Sequence, residues 1–172
     1  INPRWAQSVS LNYRDAFNFS NSHKFVANGS FYFPGFFVNH SLVVDAAWQK
    51  RDSLPDLFSK NFSYARGYEA LSTRRMYKLG VNYHLPIAYP DWGFANIIFF
   101  QRIRANAFYD HTNAKARVNG LLTEIKNRST GGEVYFDTKI WNAFPLSFGL
   151  RFSHLLDTDL INPLVRNRWE II

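Results

Sequence analysis

WAQSVSLNYR, residues 5–14, sets Trp5, Gln7, Val9, Leu11 and Tyr13 on one series of alternate positions and Ala6, Ser8, Ser10, Asn12 and Arg14 on the other. A strand turns successive side chains to opposite faces, so this stretch reads as a strand with one greasy face and one polar face. The split returns at 23–33, where Phe25, Ala27, Gly29, Phe31 and Phe33 oppose Lys24, Val26, Asn28, Ser30 and Tyr32. At 36–49, Val38, Leu42, Val44, Ala46 and Trp48 oppose Asn39, Ser41, Asp45 and Gln49. Further runs at 75–87, 94–110, 133–142, 145–154 and 166–172 bring the expected strands to eight. A helical stripe is found almost nowhere.

These runs sit in a chain of 172 residues, 47% apolar and 18% aromatic, with a formal charge of +7 and no Cys. The length suits one domain, and the aromatic content excludes a disordered tail. A mean hydropathy of −0.26, and no window near the roughly 18 consecutive apolar residues of a spanning helix, exclude a bundle of membrane helices. Lack of Cys removes disulfide scaffolds, thiol nucleophiles, thiolate zinc sites and iron–sulfur clusters, and suits passage through an oxidising compartment. Ile1 in place of an initiator Met, with no signal core near it, leads to the expectation of a mature chain or a fragment.

The connections alternate in length. Short joints lie at FPGF (33–36), AYPDWG (88–93) and NAFP (142–145), and long polar joints at 15–22, 50–74, 111–132 and 155–165. Amphipathic strands of about ten residues joined this way are what an outer-membrane barrel shows. An antiparallel sandwich also alternates, but two features favour the barrel. Trp5, Phe33, Phe36, Tyr89, Trp92, Trp141 and Phe144 cluster near the short joints, as an interfacial girdle requires. In 94–110, Ile97, Phe99, Ile103, Ala105, Ala107 and Tyr109 share one face, and Arg102, Arg104, Asn106, Phe108 and Asp110 the other. The second face is too charged for a packed core and suits a polar lumen. The fold expected is therefore an all-β, antiparallel transmembrane β-barrel.

Other chemistry is sparse. His23, His40, His84, His111 and His154 are scattered one per element without ligand spacing, so no metal or cofactor is expected. Ser8 and Ser10 lack a G-x-S-x-G elbow, and no Gly-rich loop leads into a helix, so no catalytic site is expected. The pairs Arg74/Arg75, Arg102/Arg104, Lys115/Arg117 and Arg166/Arg168 fall on polar faces or external joints. Lumen lining or anionic lipid contact accounts for them better than nucleic acid does. Residues 111–132 read as a surface loop in which NAKARVNGLLTEIKN has room for a short helical turn.

YARGYEA (64–70) lies in the longest joint and is followed by YKLGVNYHLPI (77–87) and RANAFYDHT (104–112). This order resembles the bacterial surface antigen, or BamA-type, superfamily of outer-membrane assembly and secretion barrels. There a loop tipped by [VI]RG[FY] folds into the lumen and its Arg reaches an acidic residue after an aromatic in a following strand. Arg66, Gly67 and Tyr68 match the tip, with Ala65 in place of the usual aliphatic, and Asp110 matches the acidic partner. Asn82, Tyr83, His84 and Pro86 look like the family's polar-aromatic-basic-x-Pro strand, His84 standing where Arg is commoner. INPRWAQSVSLNYR looks like a strand opening of that family.

The resemblance implies sixteen strands, five of them after the motif loop, so residues 1–172 would be the C-terminal half of one barrel domain. An eight-stranded interior is filled by side chains alone and would not admit a loop such as 51–74. A buried Arg66 needs a carboxylate; Asp110 is the candidate, with Glu69 and Glu133 as substitutes. The resemblance further implies a non-enzymatic role in inserting outer-membrane proteins or translocating protein in a Gram-negative-type outer membrane. Its partners would be lipid, client proteins and accessory periplasmic proteins or lipoproteins. Arg168, Trp169, Glu170 and Ile171 would belong to the seam strand. Two other readings are a barrel anchor for an upstream lipid esterase and a passive small pore.

Overall fold

The computed structural model describes residues 3–16, 22–52, 62–71, 73–95, 97–118, 121–141 and 143–172. Among the described residues there are nine strands: β1 (Ala6–Ala16), β2 (Ser22–Pro34), β3 (Ser41–Arg51), β4 (Arg75–Ala88), β5 (Trp92–Phe94), β6 (Ile98–Val118), β7 (Leu121–Ile140), β8 (Phe144–Leu155) and β9 (Asn167–Ile171). They form one antiparallel sheet in the order β1-β2-β3-β4-β6-β7-β8-β9, with the short β5 laid against β6. Among the described residues β1 and β9 are the two edges, and they are not paired with each other.

Register carries the two faces across the sheet unbroken. Leu11 lies opposite Ala27, Ala27 opposite Trp48, Trp48 opposite Tyr77. On the other side Asp45 lies opposite Gly80, Gly80 opposite Asp110, and Asp110 opposite Ser129. Cross-strand partners project to the same side, so one face is mainly apolar and the other mainly polar. The burial is inverted relative to an ordinary core. Val9 and Leu11 are each 68% exposed, whereas Asp110, Thr112, Ser129 and Ser153 are fully buried. Non-glycine residues with positive φ, namely Asn39, Asp91, Ala95 and Trp141, lie in the connections β2–β3, β4–β5, β5–β6 and β7–β8 respectively. Tight turns need the left-handed region there.

Four expectations need correction. The strand beginning at 36 starts at Ser41, because Gly35 and His40 close a turn that holds Phe36, Phe37 and Val38 (Gly35 N to His40 O, 3.1 Å). The run 94–110 is two strands, since Phe94 pairs back on Ile98. A bulge between Phe100 and Arg102 shifts the alternation, so that Phe100 rather than Phe99 continues the face of Ile103. The largest difference is at 111–132, whose described residues, 111–118 and 121–132, are neither loop nor helix. β6 and β7 continue as a hairpin to Val118 opposite Leu121. Thr112 and Ala114 on one strand, and Ile125, Asn127 and Ser129 on the other, are buried on a common side. A period of two thus prevails over the weak helical spacing.

Candidate functional site

Residues 62–71 cross the polar face of the sheet, and their seat is built from three contacts. Phe62 packs with Met76, Ala114 and Ile125, and Ala65 and Tyr68 pack with Leu155. A tight turn between them (Tyr68 N to Ala65 O, 3.3 Å) needs Gly67 at φ 83°. A Cβ at Gly67 would lie 2.8 Å from both Leu155 and Ser153, so this position needs glycine for space as well as for conformation. The Tyr68 hydroxyl lies 2.8 Å from the carbonyls of Arg128 and Asp157 and accepts from the Asp157 backbone N–H at 3.0 Å.

Arg66, at the turn, is held on every side. Its Nε and Nη2 donate to Asp110 Oδ2 and Oδ1 at 2.7 and 3.1 Å, a forked pair, and its backbone N–H donates to Oδ2 at 3.1 Å. Nη1 reaches Glu133 Oε1 at 3.2 Å and Nη2 reaches Asn82 Oδ1 at 2.6 Å. The guanidinium carbon sits 3.7 Å above the Phe108 ring, a cation–π contact. Asp110 also faces Lys78 at 3.4 Å, whose Nζ donates to Ser63 Oγ and the Tyr64 carbonyl. Room for the carboxylate comes from Gly80 across the ladder, where a Cβ would stand 2.8 Å from Asp110 Oδ1.

The network runs on in both directions. Asn82 Nδ2 donates to Asp45 Oδ2 at 2.8 Å, and Ser30 Oγ to Asp45 Oδ1 at 2.6 Å. On the other side Glu133 accepts from Asn106 at 2.8 Å, Tyr135 at 3.0 Å and Arg151 at 2.6 Å. Arg151 Nη1 then donates to Glu170 Oε2 at 3.0 Å. A single chain of charges therefore joins the loop to the last strand. Burial lowers the Arg66 pKa, but Asp110 and Glu133 outweigh it and hold the pKa above the ordinary arginine value. Burial pushes the Tyr64 hydroxyl up to about 12, opposed by the hydrogen bond from Asn127 and assisted by Asp159 and Tyr68. The hydrogen bond from Arg128 holds Asp157 below the usual carboxylate range.

Of the residues singled out in the sequence, Arg66, Gly67, Tyr68, Asn82 and Asp110 meet in this site. Glu133 shares Arg66 with Asp110, whereas Glu69 is exposed and outside the network. Tyr83 lies on the apolar face, where its hydroxyl meets His40 Nδ1 at 2.9 Å and accepts from the Phe36 N–H. His84 is on the polar face opposite Asn106, and Pro86 stands at a bulge opposite Arg104. In β9, Arg168 binds Asp159 at 2.7 Å, Glu170 binds Arg151, Trp169 packs on Phe152 with ring centroids 4.8 Å apart, and Ile171 is exposed. Lys78, Asn106, Arg151 and the Phe108 platform were not foreseen as parts of the site. Phe108, an aromatic inside a polar run, was the available signal.

No protein-family model, curated protein or solved structure matches this chain.

Proposed function

We propose that the chain is the C-terminal part of a sixteen-stranded outer-membrane barrel of the bacterial surface antigen type, which inserts outer-membrane proteins or passes proteins across that membrane. The observation that carries the reading is the Arg66 loop seated on a polar, inward face while the opposite face is apolar and exposed. Large exposed apolar surface suits hydrocarbon, and a buried forked ion pair suits a lumen. The loop occupies the space that an eight-stranded barrel fills with side chains, which favours a wider one. The edges β1 and β9 agree with this. Unsatisfied backbone groups are costly in lipid, so each edge calls for a further strand.

On this reading the work is non-covalent. A client strand pairs with an edge next to β9, and the loop holds the lumen until Arg66 leaves Asp110 and Glu133. The partners are lipid, the client and accessory periplasmic proteins. The test is reconstitution of the native full-length polypeptide in phosphatidylcholine vesicles offered a urea-unfolded barrel client. Faster client folding than in empty vesicles, reduced by Arg66→Ala, supports the reading; equal rates with and without the protein overturn it. The intact mass of that polypeptide tests the half-barrel alone, since a value near 20.1 kDa leaves no room for further strands.

A further inference from the structure

On the apolar face, at the end where the long joints lie, five strands repeat one arrangement. An aromatic residue is followed, two positions further toward that end, by a basic one: Phe25 and His23 on β2, Trp48 and Lys50 on β3, Tyr77 and Arg75 on β4, Tyr109 and His111 on β6, Phe152 and His154 on β8. Residues two apart share a face, so each basic group stands about 7 Å beyond its aromatic along the strand. The register shows that the collar steps along the sheet: Trp48 is level with Tyr77, while Tyr109 lies two rows lower, opposite Val81. A boundary oblique to the strands is what tilted strands need if it is to lie flat in a membrane.

The charges differ in how far they are neutralised. Arg128, on β7, is tied to Asp157 at 2.8 Å, His23 faces Asp52 at 3.3 Å, and Lys115 faces Glu124 at 4.0 Å. Lys50 and Arg75 stand directly opposite each other in register, both exposed, with no acidic partner among the described residues. Solvated lysines and arginines need no fixed spacing from an aromatic ring; headgroup phosphates above an interfacial aromatic belt do.

We infer that this collar binds phosphate groups of lipid headgroups in the leaflet at the long-joint end, with Lys50 and Arg75 as its central pair. The inference rests on the membrane reading above and adds the ligand chemistry and its residues. The experiment follows transfer of the native full-length protein from detergent into phosphatidylcholine vesicles, with and without a bis-phosphorylated glycolipid. Phosphate should strengthen binding, and the same glycolipid stripped of phosphate should not. Lys50→Ser or Arg75→Ser should weaken the phosphate-dependent part about fivefold each, and the pair about twenty-five-fold. Lys50→Arg should retain it, and Arg4→Ser, at the opposite end of the sheet, should leave it unchanged. Entry into both kinds of vesicle with equal affinity overturns the collar alone; failure to enter any vesicle overturns both the collar and the membrane reading.

Discussion

Each of the three side-chain nitrogens of Arg66 has a fixed partner, and that explains why it is an arginine. The fork matches the Asp110 carboxylate, the flat guanidinium lies on Phe108, and the remaining nitrogens reach Glu133 and Asn82. A lysine offers neither fork nor plane. Truncating Arg66 would leave Asp110, which is fully buried, with Lys78 and the backbone N–H of residue 66, and breaking such a pair costs about 3–5 kcal/mol. Tyr64 gives the seated loop a signature at alkaline pH. Its folded pKa, about 12, lies above the ordinary tyrosine value of about 10. Its contribution is therefore complete below the ordinary value and lost as pH rises through about 12. Phenolate absorbance should show a component titrating at about 12 that Tyr64→Phe removes. Titration of every tyrosine near the ordinary value would show that the loop is not seated.

At the scale of elements, β9 is a short edge of the sheet. It has five residues, pairs on one side only, and is held laterally by Trp169 on Phe152 and by Glu170 on Arg151. Glu133 shares its Oε1 between Arg66 and Arg151, so with the loop seated Arg151 depends more on Glu170. Glu170→Gln is expected to speed amide hydrogen exchange in 167–171 several-fold and leave that of β3 unchanged, read by mass spectrometry. Uniform exchange in both variants would mean that the ion pair carries no load. The strands themselves were legible in the sequence because alternation is a local property. Their full length at 111–128 was not, since Leu121, Leu122 and Ile125 also fit a helical turn and only the partner strand decides between the two. The site was legible at Arg66 and Asp110 through the order of motifs. Arg151 and Glu170 gave no local sign, because their meeting with Glu133 depends on register across three strands.

For the whole molecule, the inverted burial makes a direct optical prediction. All five tryptophans are exposed: Trp5, Trp48, Trp92, Trp141 and Trp169. Trp48 lies in the outward collar, Trp169 packs on its Phe152, and Trp5, Trp92 and Trp141 lie beside the short joints, Trp5 against Phe33 with ring centroids 5.7 Å apart. In vesicles, brominated acyl chains should quench most of the tryptophan fluorescence and aqueous iodide little of it. The reverse would identify a water-facing sheet. This property belongs to no single residue, since it arises only when every strand agrees on which face is apolar.

The β6–β7 hairpin has a consequence of its own. At about 3.3 Å per residue, 21 residues extend about 70 Å, more than twice what a hydrocarbon layer needs. An unsupported two-stranded ribbon is marginal in water. Here the base of that ribbon is propped by the loop, because Phe62 closes a cluster with Met76, Ala114 and Ile125. The prop and the Arg66 lock are parts of one short segment, so withdrawing the lock also withdraws the prop. By thermodynamic reciprocity, anything that grips the ribbon in its propped shape also favours the seated loop. On the membrane-barrel reading proposed above, the hairpin would act as an indicator needle, by which the state of the lumen could be read and set from the far side of the membrane.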